Sequence, residues 1–211
     1  MAWDTERTRR QLRDAALAEF AAHGLEGTTV GAIAARAGVN KERLYSYFGD
    51  KRALWDLVLS TELERLAAAV ELTGVGDIGE FAGATFDYHA NHPQLSRLLQ
   101  WEGLQDAPPA EAPSRTVHYR EKVARIAAAQ RAGVLDRDVD PAHLVFALIA
   151  LAAWWQTVPQ LAEMITGAGP DDQQERAARR AFVVEAARRI ASPSRTRPGT
   201  PRSIEPKLPH G

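Results

Sequence analysis

Between Lys41 and Asp50 the chain reads KERLYSYFGD, crowding two cations, two carboxylates, two phenols and a hydroxyl into one short segment. On a helix at 100° per residue, Leu44 and Phe48 share one face. Lys41, Glu42, Arg43, Tyr45 and Ser46 then look outward, all able to hydrogen-bond, and Asn40 just before them joins the set that could meet DNA. An arginine fork matches guanine O6 and N7, and a carboxylate accepts from a cytosine amine. Glu42 and Arg43 could equally pair with each other or meet phosphate. Tyr47 projects sideways and can give its hydroxyl to a phosphate oxygen. Upstream, Thr28 and Thr29 sit at a helix start, where free N–H groups can hold a phosphate. Lys51 sits at another. Each piece has a plainer reading: a threonine that only caps, a tyrosine that only packs, a lysine that is only solvated. The shared spacing is what favours DNA chemistry.

A second set of residues suggests a small-molecule pocket, which is lined by apolar and aromatic groups with a few polar ones. Trp101 beside Glu102 is the leading pair, with Phe86, His89, His118 and Trp154 as further lining. The alternative is that Trp101 is core and Glu102 is surface. The string 74-GVGDIG-79 fits a dinucleotide fingerprint, but it follows a helix in a chain with no strand pattern, so it reads as a joint between helices. His89 and His92 have metal-ligand spacing, but no third ligand accompanies them and Pro93 breaks the helix there. No metal or cofactor is expected. No G-x-S-x-G, H-E-x-x-H or P-loop occurs, and there is no cysteine, so no catalytic residue is assigned.

The elements that must position these groups have helical period almost throughout, which predicts an all-α fold. The spacing predicts a helix over 7–22 closed at Gly24, then short helices over 30–37 and 41–48. Val39 before the cap Asn40, with Leu44 at the fourth helical position, forms a hydrophobic staple. Two helices joined by a tight glycine turn, the second with a polar outer face, make a helix-turn-helix. Longer helices follow over 51–72, 77–91, 93–104, 115–132, 142–158 and 171–191, about nine in total, with a loop at 105–113. The expected division is a helix-turn-helix unit at 1–52, a larger helical unit at 53–191, and a tail at 192–211. The tail has five prolines in twenty residues and is expected to be disordered.

Net charge over the 211 residues is −1, but residues 1–52 carry nine Lys/Arg against seven Asp/Glu, and residues 53–191 carry thirteen against nineteen. A basic head on an acidic body suggests that the head meets an anion. The longest apolar run, Leu144–Trp155, has 12 residues, short of the ~20 that span a bilayer, so no membrane association is expected. The N-terminus lacks the apolar segment of a signal peptide, and a cytoplasmic location is expected. A self-complementary apolar patch, needed for a symmetric dimer, is sought on two helices. The candidates are Leu144, Leu148, Leu151 and Trp155 on one, and Ala181, Phe182 and Ala187 on the other.

The segment 28-TTVGAIAARAGVNKERLYSYFGDKRAL-54 resembles the DNA-binding segment of the tetracycline-repressor (TetR/AcrR) family of bacterial regulators. The shared elements are T-T-V, I-A-x-x-A-G-V across the turn, L-Y-x-Y-F in the second helix, and K-x-A-L after it. The resemblance implies a homodimer on a near-palindromic double-stranded DNA operator, released when a small-molecule effector binds the larger unit. The family often has small residues where Glu42 and Arg43 stand, so the base preference implied is the chain's own. Two other classes also fit an all-α chain: a helical protein–protein adaptor, and an all-α enzyme. The polar face at 41–46 and the basic start at Lys51 disfavour the adaptor. The lack of a clustered acid–base set disfavours the enzyme.

Overall fold

The computed structural model describes residues 2–72, 78–106, 108–110 and 112–193. Among them are ten helices and no strand: α1 (Ala2–Gly27), α2 (Val30–Ala37), α3 (Lys41–Phe48), α4 (Lys51–Ala69), α5 (Ile78–Asn91), α6 (Pro93–Gly103), α7 (Ala112–Arg131), α8 (Pro141–Thr157), α9 (Pro159–Thr166) and α10 (Gln173–Ala191). The tail beyond Pro193 and the segment 73–77, which holds most of GVGDIG, lie outside the described residues. The helix not anticipated is α9. Pro159 supplies no N–H to continue α8, yet its fixed φ suits a first helical turn. The chain therefore restarts there, bent by 85° from α8. No single helix among the described residues is long and apolar enough to cross a membrane.

The helix starts follow local chemistry. Thr29 Oγ1 accepts from Ala32 N at 3.1 Å, Asp50 Oδ1 from Ala53 N at 2.7 Å, and Asp140 Oδ1 from Ala142 and His143 N. Each cap satisfies a donor that the helix cannot, worth ~1 kcal/mol.

One continuous core runs through both ends of the molecule. Leu12, Ala16 and Phe20 of α1 meet Ile33, Leu44 and Leu54, and Phe20 stands edge-on to Trp55 with ring centroids 5.2 Å apart. Further along, α5 lies tight against α10. A Cβ on Gly79 would come within 2.8 Å of Val184 O, and one on Gly83 within 2.8 Å of Val184 Cγ2. The last glycine of GVGDIG thus serves close helix packing. Arg180 ties the pair by its bonds to Asp87 (2.7 Å) and Glu80 (3.0 Å).

Candidate nucleic-acid interface and ligand cavity

Two short helices, α2 and α3, build the first site. α2 ends on Gly38, whose φ of 66° is left-handed and strained for any residue with a Cβ. Gly38 N and Val39 N return to Ala35 O and Ala34 O at 3.1 and 3.0 Å, closing the helix end. The chain thereby turns within three residues into α3, capped by Asn40, whose side chain accepts from Glu42 N at 3.3 Å. Leu44 is fully buried, an anchor worth ~2 kcal/mol, with Val39 packed against the same core. Around that anchor Lys41, Glu42, Arg43, Tyr45 and Ser46 are all exposed, Tyr45 at 51%. The α2–α3 unit is braced by Arg36, whose Nε donates to Glu19 Oε1 on α1 at 2.6 Å.

The flanking residues divide. Thr29 is exposed at the start of α2. Thr28 is 1% exposed, its hydroxyl 2.7 Å from Gly24 O and 3.2 Å from Glu19 O. It therefore clamps the end of α1 and has no open path to phosphate. Lys51 Nζ donates to Thr28 O at 3.0 Å, so in the DNA-free molecule it joins the start of α4 to the start of α2. Tyr47 is half-buried, edge-on to Phe48 and capped by the Arg9 guanidinium 5.2 Å from its ring centre. Arg43 Nη1 leans back to 3.4 Å from Thr8 Oγ1. Arg9 is a neighbour of this surface that sequence spacing did not reveal; it lies in another helix, and only the fold brings it over Tyr47.

The second site is a cavity of about 260 Å³ between α4, α5, α6, α7 and α8. Its walls are apolar, with Leu63, Leu66, Val70, Phe81, Leu99 and Ile149. Of the residues expected there, His89 and His118 line it. His89 is 2% exposed, its Nδ1 3.0 Å from Ser96 Oγ, and burial pushes its pKa down to about 4, with His92 adding repulsion. Burial also lowers the pKa of His118. The other four lie elsewhere. Phe86 is fully buried in the core. Trp101 turns to α1, packs over Gly24 and donates from Nε1 to Ala21 O at 3.3 Å. Glu102, one residue on and so rotated by 100°, binds Arg115 at 2.8 Å and accepts from Ala110 N at 3.0 Å. Trp154 is 57% exposed on the outer side of α8. The polar lining that spacing missed is Arg115 and Lys122 of α7, which recur with His118 and Tyr119 at three- and four-residue intervals. That stripe was legible as a period but reads equally as a solvated face.

His92 stacks on Tyr88, with centroids 4.2 Å apart, while His89 turns to Ser96; the two imidazoles have separate partners. No cluster of three metal-ligating side chains occurs among the described residues.

The expected dimer residues also divide. Leu144, Leu148 and Ala187 have no exposed surface and belong to this subunit's core. Leu151 and Trp155 are partly buried, Trp155 edge-on to Phe182 at 6.2 Å. Ala181 and Phe182 are exposed. The large outward apolar side chains of α8 and α10 are Phe182, among those expected, and Phe146, Trp154 and Ile190, at 56, 75, 57 and 42% exposure.

An outward-facing second helix held by a buried leucine, on a helical body with an apolar cavity, defines a helix-turn-helix DNA-binding regulator. Residues 12–58 match the family model for bacterial regulatory proteins of the tetR family, and residues 77–189 match that for the tetracyclin repressor-like C-terminal domain. The chain belongs to the TetR family of transcriptional regulators. It is 39% identical over 169 residues to the HTH-type transcriptional repressor SCO4008 of Streptomyces coelicolor, covering 79% of this chain and 87% of that one. It is 30% identical over 173 residues to the HTH-type transcriptional regulator RutR of Escherichia coli, covering 78% and 81%. The crystal structure of SCO4942 from Streptomyces coelicolor matches with a TM-score of 0.76 and 33% identity, over 87% of this chain and 98% of that one.

Proposed function

We propose that the chain is a homodimeric repressor that leaves a near-palindromic operator when a small molecule enters the cavity between α4 and α8. The carrying observation is α3. Leu44 is buried at its centre, Phe48 packs beside it, and five polar side chains turn to solvent. Lys41, Arg43, Tyr45 and Ser46 are its base- and phosphate-reading groups, with Glu42 placed to accept from a cytosine amine. Thr29 and the open N–H groups of α2 take phosphate, and Lys51 and Tyr47 join them if Thr28 O and Arg9 release them.

The functional division falls near residue 52, with reading upstream and sensing and dimerisation in 53–191. Phe146, Trp154, Phe182 and Ile190 form the patch that pairs with a second copy. Two α3 helices then stand one DNA turn apart, roughly 34–36 Å. The protein works beside the chromosome, in the cytoplasm, and is not an enzyme.

A mobility shift with DNA flanking the chain's own gene, at ~100 mM salt with excess random competitor, tests this. Specific retardation with two chains per fragment is expected; binding no tighter than to random DNA overturns it.

A further inference from the structure

The cavity has a charge as well as a shape, and its ligand follows from that charge; this step rests on the effector reading above. Arg115 and Lys122 are its lysine and arginine lining, seven residues apart on α7 and so ~10 Å apart along the axis. Arg115 is already neutralised, with Nη1 at 2.8 and 3.0 Å from the two Glu102 oxygens.

Lys122 is different. It is 9% exposed, and its Nζ lies 4.9 Å from the centre of the Phe81 ring. Among the described residues no carboxylate reaches ion-pair distance of it. Glu71 and Glu121 line a second recess on its far side, with Arg125 beside them. Glu71 favours the ammonium from a distance and Arg125 opposes it. The acid on the cavity wall itself is Glu64, which is exposed. His89, with its depressed pKa, is neutral at pH 7.

The Lys122 ammonium, on a side chain largely buried against a ring face, is under-compensated, because burial strips part of its water and the ring returns little. A carboxylate supplies the missing charge-assisted bond. Beside Lys122, one turn back on α7, His118 offers a further ring nitrogen. Of the other charges on the wall, Arg115 is held by Glu102 and Glu64 is exposed to solvent. We propose that the cavity binds an organic carboxylate, its acid group against Lys122 and His118 and its apolar body along Leu66, Val70, Leu99 and Ile149.

The test is isothermal titration of the full chain, free of DNA, at pH 7 with octanoate, octanol and octylamine, which share a tail and differ in head group. Octanoate should bind at least about tenfold tighter than the other two, the ratio that a charged hydrogen bond of roughly 1.5 kcal/mol confers. Lys122→Met should lose that tenfold and bind octanol unchanged, and Lys122→Arg should keep the preference. If Lys122→Met does not fold, the wild-type preference and its retention in Lys122→Arg decide. Equal or tighter binding of octylamine, no binding of octanoate, or full octanoate affinity in Lys122→Met overturns the proposal. A parallel operator shift separates the two levels: octanoate that binds at Lys122 yet leaves the DNA complex intact upholds the acid site and removes the effector reading.

Discussion

Replacing His89 by glutamine should change how the protein responds to acid. The imidazole is 2% exposed, and its pKa is pushed down to about 4 by burial first and by His92 second. In the unfolded chain it titrates near 6.5. Above pH 6.5 both states are neutral and nothing is lost. As pH falls below 6.5 the unfolded chain takes a proton that the folded one refuses, so stability drops until about pH 4. The full difference corresponds to about 3 kcal/mol, of which about 2 kcal/mol falls between pH 7 and pH 5. Glutamine keeps a polar group beside Ser96 Oγ, 3.0 Å from Nδ1 in the native protein, but does not titrate. The assay is guanidinium unfolding of both proteins at pH 7 and pH 5, at one fixed protein concentration. Carboxylates contribute equally to both, so the difference of differences isolates His89. The wild type should lose about 2 kcal/mol more than His89→Gln over that interval. The same loss in both would refute the burial of a neutral imidazole at this position.

Three further outcomes follow from the same geometry. Gly38→Ala should destabilise by about 1–2 kcal/mol, read by thermal unfolding, because a Cβ is strained at φ 66°; a stability gain would refute the turn. Thr28→Val should cost about 1–2 kcal/mol by leaving Gly24 O and Glu19 O without their hydroxyl, yet leave the salt slope of DNA binding unchanged; a slope shallower by one unit would mean that Thr28 meets phosphate after all. Phe182→Glu with Trp154→Glu should halve the mass seen by analytical ultracentrifugation, whereas Leu148→Ala should lower stability by about 2–5 kcal/mol with the mass retained; a dimer that survives the glutamates would place the interface elsewhere.

The helices and the turn between α2 and α3 were legible because their signals are local. Period, caps and the Gly38 turn need only neighbours a few residues away, and so does the outward face of α3 around Leu44. What failed needed distant partners. Thr28 looks like any cap threonine until Gly24 and Glu19 of α1 take its hydroxyl. Trp101 and Glu102 are adjacent in sequence, but 100° of helix rotation sends one to Ala21 and the other to Arg115. Helix α8 is apolar nearly all round, so its sequence does not say that Leu144 and Leu148 face in while Phe146 and Trp154 face out. A lysine on a charged helix reads as solvated, and only the fold brings Phe81 of α5 and the wall of α4 over Lys122.

The central claim is that the exposed face of α3 selects DNA sequence. The most direct measurement is fluorescence anisotropy of a labelled fragment from beside the chain's own gene, with wild type and with the double variant Lys41→Ala, Tyr45→Ala. Both residues are exposed, so the fold should be kept. The wild type should prefer the specific fragment to random DNA by at least about a thousandfold. The variant should lose most of that ratio while its weak, salt-dependent binding to random DNA persists. An unchanged ratio in the variant, or no preference in the wild type, would contradict the assignment of α3 as the reading helix.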